Sequence, residues 1–295
     1  ILRALIKNIK NITESKRLEG ASTITQQVAK NFLLSNEVSF DRKIKEAILA
    51  FRIERALNKE RILELYLNQI YLGEGSYGIA SASLRYFDKS INELNYSEAS
   101  LLAALRIAGA KPFVATSSNQ ICSASALVLP GVGHFSTAIK SLNNSGLLSS
   151  IIDSINKGMP TLGICLGFQL LTLGSDEAPG IKGLGLLPFN TNRMNPKDKY
   201  NYKIPHIGWN NIDQVNGELK LLDKIYKDNQ LFYYSNAYAV SSSIVPNYPH
   251  AIYKHDTGCI ALIEKDNIYG VQFHPEKSRH QGNIILKNFL SLINY

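Results

Sequence analysis

The stretch Leu162-Gly163-Ile164-Cys165-Leu166-Gly167-Phe168-Gln169 sets the architecture of the larger part of this 295-residue chain. An apolar run, Met159-Pro160-Thr161-Leu162, leads into it, and the amphipathic run Phe168-Gln169-Leu170-Leu171 leads out. The pattern is strand, tight turn, helix. Glycines on both sides of Cys165 permit a sharp backbone reversal that a side chain would obstruct. The cysteine then stands at a helix N-terminus, where the dipole and free N–H groups favour a thiolate. Taken alone, the same text also describes a buried cysteine at a Gly-punctuated strand end, because short Gly-flanked motifs recur by chance.

A second stretch separates these readings. Tyr269-Gly270-Val271-Gln272-Phe273-His274-Pro275-Glu276-Lys277-Ser278 is a strand-like run ending in a histidine and a glutamate two residues apart. A nucleophilic cysteine needs a base within hydrogen-bond reach, and the base needs an orienting carboxylate. Pro275 stiffens the turn that would place both.

The two motifs together resemble the class I glutamine amidotransferase family, and within it the glutaminase subunit of imidazole glycerol phosphate synthase. Three further stretches carry the resemblance: Leu129-Pro130-Gly131-Val132-Gly133-His134-Phe135, Gly183-Leu184-Gly185-Leu186-Leu187-Pro188 and Ile204-Pro205-His206-Ile207-Gly208-Trp209-Asn210. It covers residues 106–295. It implies an open, mostly parallel α/β sheet. It further implies a Cys165–His274–Glu276 triad and an oxyanion hole from the N–H groups of Val132 and Leu166. Gly131, Gly133 and Gln169 are implied as glutamine-binding positions. No cofactor and no metal are implied, and the implied partner is the cyclase subunit of the synthase. The family begins with a strand and a Gly/Asn-rich turn that have no counterpart here, so the sheet is expected to lack its first strand. An internal parallel strand bonds to both neighbours, so its loss should leave ladder groups and core exposed. Residues 113–116 and 126–129 are expected as strands, and Gly109 is expected near a helix C-cap. Residues 232–238 align with a strand that usually carries His-Ser-Tyr; Asn236 and Ala237 depart from it and Tyr238 is kept. That departure leaves room for a different synthase partner, such as one that amidates surface-polysaccharide sugars. His206 is either a residue of the cyclase-facing side or a packed loop histidine, and Lys277 is an interface charge.

Residues 1–105 read differently. Ile44, Ile48 and Phe51 recur at helical spacing, Ile62, Leu65, Tyr66 and Gln69 continue it, and Asp41 or Ser39 suits a cap. A further helix is expected over residues 94–105. The stretches Gly20-Ala21-Ser22-Thr23-Ile24-Thr25-Gln26-Gln27-Val28-Ala29-Lys30-Asn31, Arg42-Lys43-Ile44-Lys45-Glu46, Ile62-Leu63-Glu64-Leu65-Tyr66-Leu67-Asn68-Gln69-Ile70-Tyr71-Leu72-Gly73 and Ser76-Tyr77-Gly78-Ile79-Ala80-Ser81-Ala82-Ser83 follow in order. They resemble the peptidoglycan glycosyltransferase domain of class A penicillin-binding proteins. The resemblance implies that Glu46 is the second of two working glutamates, with the first upstream of Ile1. Gln26 belongs to the same remnant site, and Lys30 is the cation for a donor pyrophosphate. Without the first glutamate, general-base assistance of about 10²–10⁴-fold is lost, so no useful polymerisation is expected.

Composition bounds the rest. A hydrophobic content of 45% is that of a folded protein. The net charge of +8 is spread along the chain, which fits a solvated surface rather than nucleic-acid binding. Cys122, Cys165 and Cys259 are too few and too scattered for a disulfide framework or metal site, and fit a reducing, cytoplasmic compartment. No run of about 18 apolar residues predicts a membrane span. The sequence therefore predicts an all-helical region (residues 1–105) followed by an α/β amidotransferase domain (residues 106–295). Three functional readings remain: a glutaminase subunit, a glycosyltransferase fragment with an incidental C-terminal fusion, and an inactive chimera.

Overall fold

The computed structural model describes residues 22–33, 40–71, 75–87, 96–226, 230–244 and 247–293. Gly20, Ala21, Ser39, Leu72, Gly73 and Leu94, which enter the sequence motifs and helix limits above, lie outside them. The chain divides into two compact units, Ile1–Leu94 and Asn95–Tyr295.

The first unit is helical where described: α1 (Ile24–Leu33), α2 (Phe40–Ala56), α3 (Lys59–Gln69) and α4 (Ile79–Phe87). Helix α1 packs on α2 and α3, and α3 packs on α4. Val28, Ala29, Ala50, Ile62 and Ala82 are buried there. Asn58 caps α3, its side-chain oxygen accepting from the Arg61 N–H at 2.9 Å. The helical period of Ile44, Ile48 and Phe51 is realised in α2, yet all three are about half exposed. The face of α2 that meets α1 carries Glu46 and Ala50, and a Thr25–Glu54 hydrogen bond of 2.8 Å ties the two helices.

The second unit opens with α5 (Tyr96–Ala108) and α6 (Ser118–Ser123), then β1 (Leu127–Leu129), α7 (Phe135–Asn144), α8 (Leu148–Asn156), β2 (Thr161–Ile164) and α9 (Leu166–Leu170). Strands β3 (Gly174–Ser175), β4 (Asn190–Arg193), β5 (His206–Asn211), β6 (Gln214–Asn216), β7 (Leu231–Asn236) and β8 (Tyr238–Ala239) follow. The unit ends with β9 (His250–His255), β10 (Thr257–Lys265), β11 (Ile268–Val271), a 3-10 turn (Pro275–Lys277) and α10 (Arg279–Ser291). Its main sheet runs β1-β2-β11-β10-β9-β6. Within this sheet the parallel character expected from the sequence is confined to β1, β2 and β11; β10, β9 and β6 add antiparallel neighbours. The sheet is therefore mixed, and its parallel edge holds the elbow.

Two apolar clusters flank it. Leu162 and Ile164 of β2 join Leu101, Leu105, Phe273 and Phe289, whereas Ile260 and Ile263 of β10 join Phe135 and Phe168. Alternate side chains of a strand leave on opposite faces, so a buried sheet needs cover on both.

Residues 113–116 form no strand, against the sequence expectation, and Phe113 and Val114 are exposed. An extended segment becomes a strand only beside a partner, and among the described residues β1 pairs with β2 alone. The cover expected to be missing comes in part from a helix. Leu101 and Leu105 of α5 are buried in the cluster that holds Cys165, and α5 packs on α10 and on the turn at residues 275–277. Helix α5, expected with the N-terminal region, thus lies in the second compact unit. It closes as anticipated: Gly109 takes φ 112°, and the Ala110 N–H reaches the Leu105 carbonyl at 3.0 Å. Among the described residues no helix is long and apolar enough to cross a membrane.

Candidate active site

Strand β2 is buried throughout and delivers Cys165 at its end. The cysteine takes φ 51° and ψ −106°, a region that non-glycine residues rarely occupy and that is held only by its surroundings. Its N–H donates to the Val271 carbonyl at 2.8 Å, and its carbonyl accepts from Gln169 N–H at 3.1 Å. Close packing explains the flanking glycine: a methyl group built on Gly167 would run into the Leu129 carbonyl. Gly131 lies equally tight on the elbow, where a side chain would meet Leu166. The loop at residues 130–133 therefore rests directly on the start of α9. Val132 is exposed there and Gly133 takes φ 126°. Glu177 secures the far side, its Oε2 accepting from the Phe135 N–H at 2.7 Å.

The second half of the site follows β11. His274 and Glu276 are both almost wholly buried, with Nδ1 and Oε1 2.8 Å apart. That bond places the Nδ1 proton toward the carboxylate and leaves Nε2 for the cysteine. Burial would lower the imidazole's pKa, but hydrogen bonds to Cys165 and Glu276 and their negative charge outweigh it and hold it up at about 9. Ser278 fixes the turn: its hydroxyl donates to the His274 carbonyl at 2.6 Å and accepts from the Tyr233 N–H at 3.0 Å.

The structure thus brings Cys165, His274 and Glu276 together, with residues 130–133 and Leu166 beside them. Gln169 is buried one turn beyond the cysteine. Its Nε2 donates to the Tyr238 carbonyl at 2.9 Å and to Gln272 Oε1 at 3.2 Å. Gln272 in turn points its Nε2 at Cys165 Sγ, 3.5 Å away. The sequence pattern alone assigns Gln272 no role. The available signal was its place between two buried apolar residues of a strand end, where a polar side chain must find a partner.

Two other residues are settled by packing. His206 is buried in β5 and stacks on His255 with ring centroids 4.0 Å apart. Burial and the neighbouring His255 lower its pKa to about 4, so it is a neutral, packed histidine. Asn236 donates to the Tyr238 carbonyl at 3.1 Å and to the Tyr253 hydroxyl at 3.0 Å.

In the first unit Glu46 is buried, and Lys43 is a cation beside it, at 2.6 Å. Lys43 also donates to Ser22 at 3.0 Å. Gln26 accepts from the Thr23 N–H at 2.8 Å, and Lys30 is exposed. The i, i+3 spacing of Lys43 and Glu46 was the sequence signal for that pair.

Comparison with known proteins separates the same two regions. Residues 1–129 match the Transglycosylase family, and residues 99–292 match the family Glutamine amidotransferase class-I, so residues 99–129 answer to both. Penicillin-binding protein 1A of Rickettsia bellii is 59% identical over 105 residues, 36% of this chain and 13% of that protein. The corresponding protein of Neisseria flavescens is 58% identical over 97 residues, 33% of this chain and 12% of that protein. The chain therefore spans only a small part of those relatives. Imidazole glycerol phosphate synthase subunit HisH of Methanothermobacter thermautotrophicus is 38% identical over 196 residues, 66% of this chain and 92% of that subunit. With nearly all of that subunit covered and the family match running through both the elbow and the His274–Glu276 turn, this chain belongs to the class I glutamine amidotransferase family.

Proposed function

We propose that the chain hydrolyses glutamine with Cys165, His274 and Glu276 and hands the ammonia to a synthase partner in the cytoplasm. The carrying observation is the buried 2.8 Å His274–Glu276 pair set against a cysteine in a strained elbow. His274 takes the thiol proton, and Sγ attacks the side-chain carboxamide carbon of glutamine. The oxyanion is held by the N–H groups of Leu166 and Val132, donors typically worth about 10²–10³-fold each. The C–N bond breaks as His274 returns its proton to nitrogen, and ammonia leaves. Water, deprotonated by the same imidazole, then attacks the thioester, and glutamate departs from the restored thiol. Gly131, Gly133 and Gln169 line up the substrate around that centre.

The partner favoured by likeness to the HisH subunit is a cyclase that incorporates the ammonia into imidazole glycerol phosphate. Exposed Ile207 and Trp209 on β5 suit a docking face, with Lys277 nearby in sequence to the catalytic turn. Asn236 favours a second reading of the partner, because this position departs from the family's usual histidine; a sugar-amidating synthase is that alternative. Residues 1–105 and 106–295 are taken as two segments of separate descent, with Gln26, Lys30 and Glu46 the remnant of a glycosyltransferase site.

The test is ammonia release from glutamine by the full chain, with and without added cyclase, alongside labelling of Cys165 by a glutamine-analogue electrophile. Stimulation by the cyclase and labelling at Cys165 are expected. Absence of both would sink the proposal.

A further inference from the structure

The Gln272 amide that meets Cys165 is the last member of a longer series of hydrogen bonds. Gln272 Nε2 lies 3.5 Å from the sulfur, and its Oε1 accepts from Gln169 Nε2 at 3.2 Å. The same Gln169 nitrogen donates to the Tyr238 carbonyl at 2.9 Å. That carbonyl takes a second donor from Asn236, whose Nδ2 stands 3.1 Å away. Asn236 is braced in turn from β9: its Nδ2 also donates to the hydroxyl of the fully buried Tyr253 at 3.0 Å.

The order of donors and acceptors along this series is not free. A backbone carbonyl only accepts, so Gln169 must turn its nitrogen to Tyr238. An amide nitrogen carries two protons, and with one on Tyr238 the other goes to Gln272. Gln272 must then present its oxygen to Gln169, which leaves its nitrogen for the sulfur. The end of the Gln272 amide that faces Cys165 is thus decided at the Tyr238 carbonyl.

Asn236 supplies a second, independent observation. It is 5% exposed, and its Oδ1 is buried without a hydrogen-bond partner. A buried acceptor left unpaired is costly. Turning the amide over would let Oδ1 accept from the Tyr253 hydroxyl, but would set it against the Tyr238 carbonyl, acceptor on acceptor. The arrangement leaves one oxygen unpaired and keeps a donor on Tyr238.

We infer that Asn236 is a positioning residue for Cys165: it holds the Tyr238 carbonyl and, through Gln169, sets which end of the Gln272 amide meets the sulfur. Its own hydrogen bonds go to Tyr238, Tyr253 and the Met194 sulfur, so it acts through others. The inference deepens the hydrolysis reading proposed above and rests on Cys165 being the nucleophile of that reading.

The experiment is a double-mutant cycle on the full chain, read by the rate of Cys165 alkylation with iodoacetamide at neutral pH. Cys122 is exposed, so labelling is followed on the Cys165 peptide by mass spectrometry. Asn236→Leu keeps a similar shape and removes the donor. It should slow alkylation by roughly three- to tenfold, up to the whole effect of a hydrogen bond to a charged group. In a Gln272→Met background the same change should alter the rate by less than about twofold, because the group it acts through is gone. Asn236→His restores an N–H and should return the rate to within about twofold of the wild type. Support of a merely structural kind would slow both backgrounds alike. Equal slowing in the two backgrounds, no slowing in Asn236→Leu, or a histidine variant as slow as the leucine one would overturn the inference. Where Asn236→Leu does not fold, Asn236→Ala takes its place with the same expectations. The readout needs no turnover. Coupling in a chain that releases no ammonia from glutamine keeps the positioning role and removes the hydrolysis reading. Turnover with additive effects does the reverse.

Discussion

The side-chain amide of Gln272 donates to the sulfur of Cys165 across 3.5 Å, while its oxygen accepts from Gln169 at 3.2 Å. The candidate nucleophile is therefore held from β11 as well as from its own elbow. An N–H aimed at sulfur orients it, and such a hydrogen bond strengthens wherever the sulfur carries negative charge. Replacing Gln272 by Met keeps the volume and removes the donor. Alkylation of Cys165 at neutral pH should slow by roughly tenfold, the equivalent of about 1.5 kcal/mol for a hydrogen bond to a charged group. An unchanged rate in a folded variant would show that the amide only fills space.

Glu276→Gln keeps the shape of the carboxylate and removes its charge. The imidazole then loses one of the interactions that hold its pKa up at about 9. Glutamine hydrolysis should fall by roughly 10²–10⁴-fold, the usual scale for a positioned acid–base group. The pH profile of Cys165 alkylation should move with it. A variant with full activity and an unmoved profile would remove Glu276 from the mechanism.

The raised pKa of His274 also makes stability depend on pH. The folded state holds the proton up to about pH 9, whereas an unfolded imidazole releases it near 6.5. The contribution is complete below about pH 6.5 and is lost as pH rises through 9. Urea midpoints of the wild type, corrected against His274→Gln, should therefore fall between pH 6.5 and 9. A difference that stays flat or rises over that window contradicts the assignment.

Gly167→Ala tests the elbow as a packing device. The added methyl meets the Leu129 carbonyl, a backbone atom that cannot step aside without moving β1. Destabilisation of about 1–3 kcal/mol is expected, in line with other overpacked sites. Denaturant unfolding measures it directly, and a neutral result would mean that β1 shifts freely.

Leu101→Ala asks whether α5 supports the amidotransferase unit. Leu101 is 5% exposed and packs in the same cluster as Cys165 and Phe273. Its truncation should cost about 2–5 kcal/mol and lower Cys165 labelling by the glutamine analogue. A variant as stable as the wild type would show that α5 is a passenger.

The site was legible wherever chemistry forces a local pattern. A strand that must turn at once into a helix around a nucleophile needs small neighbours, and Gly163, Cys165 and Gly167 state that at alternate positions. His274 and Glu276 are two residues apart because a turn of that length lets Nδ1 meet Oε1. The Lys43–Glu46 pair is local for the same reason. Residues 113–116 misled because apolar β-branched text marks a strand only in company; its neighbour is set by topology, and none of the described strands pairs with it. The half-exposed stripe of Ile44, Ile48 and Phe51 shows the same limit for helices: period gives the helix, not the face that is covered.

By itself, then, the sequence determined the elbow, the His274–Glu276 turn, the helical character of the first unit and the family to which residues 99–292 belong. Each is a short-range consequence of backbone sterics or of adjacent side chains. Tertiary structure alone decided that Gln272 reaches the sulfur of Cys165, 107 positions away. It also decided that His206 is a neutral stacked residue, and that α5 enters the core of the second unit. Those relationships join elements far apart in the chain, and only the packing of both faces of a buried sheet fixes which distant side chains meet.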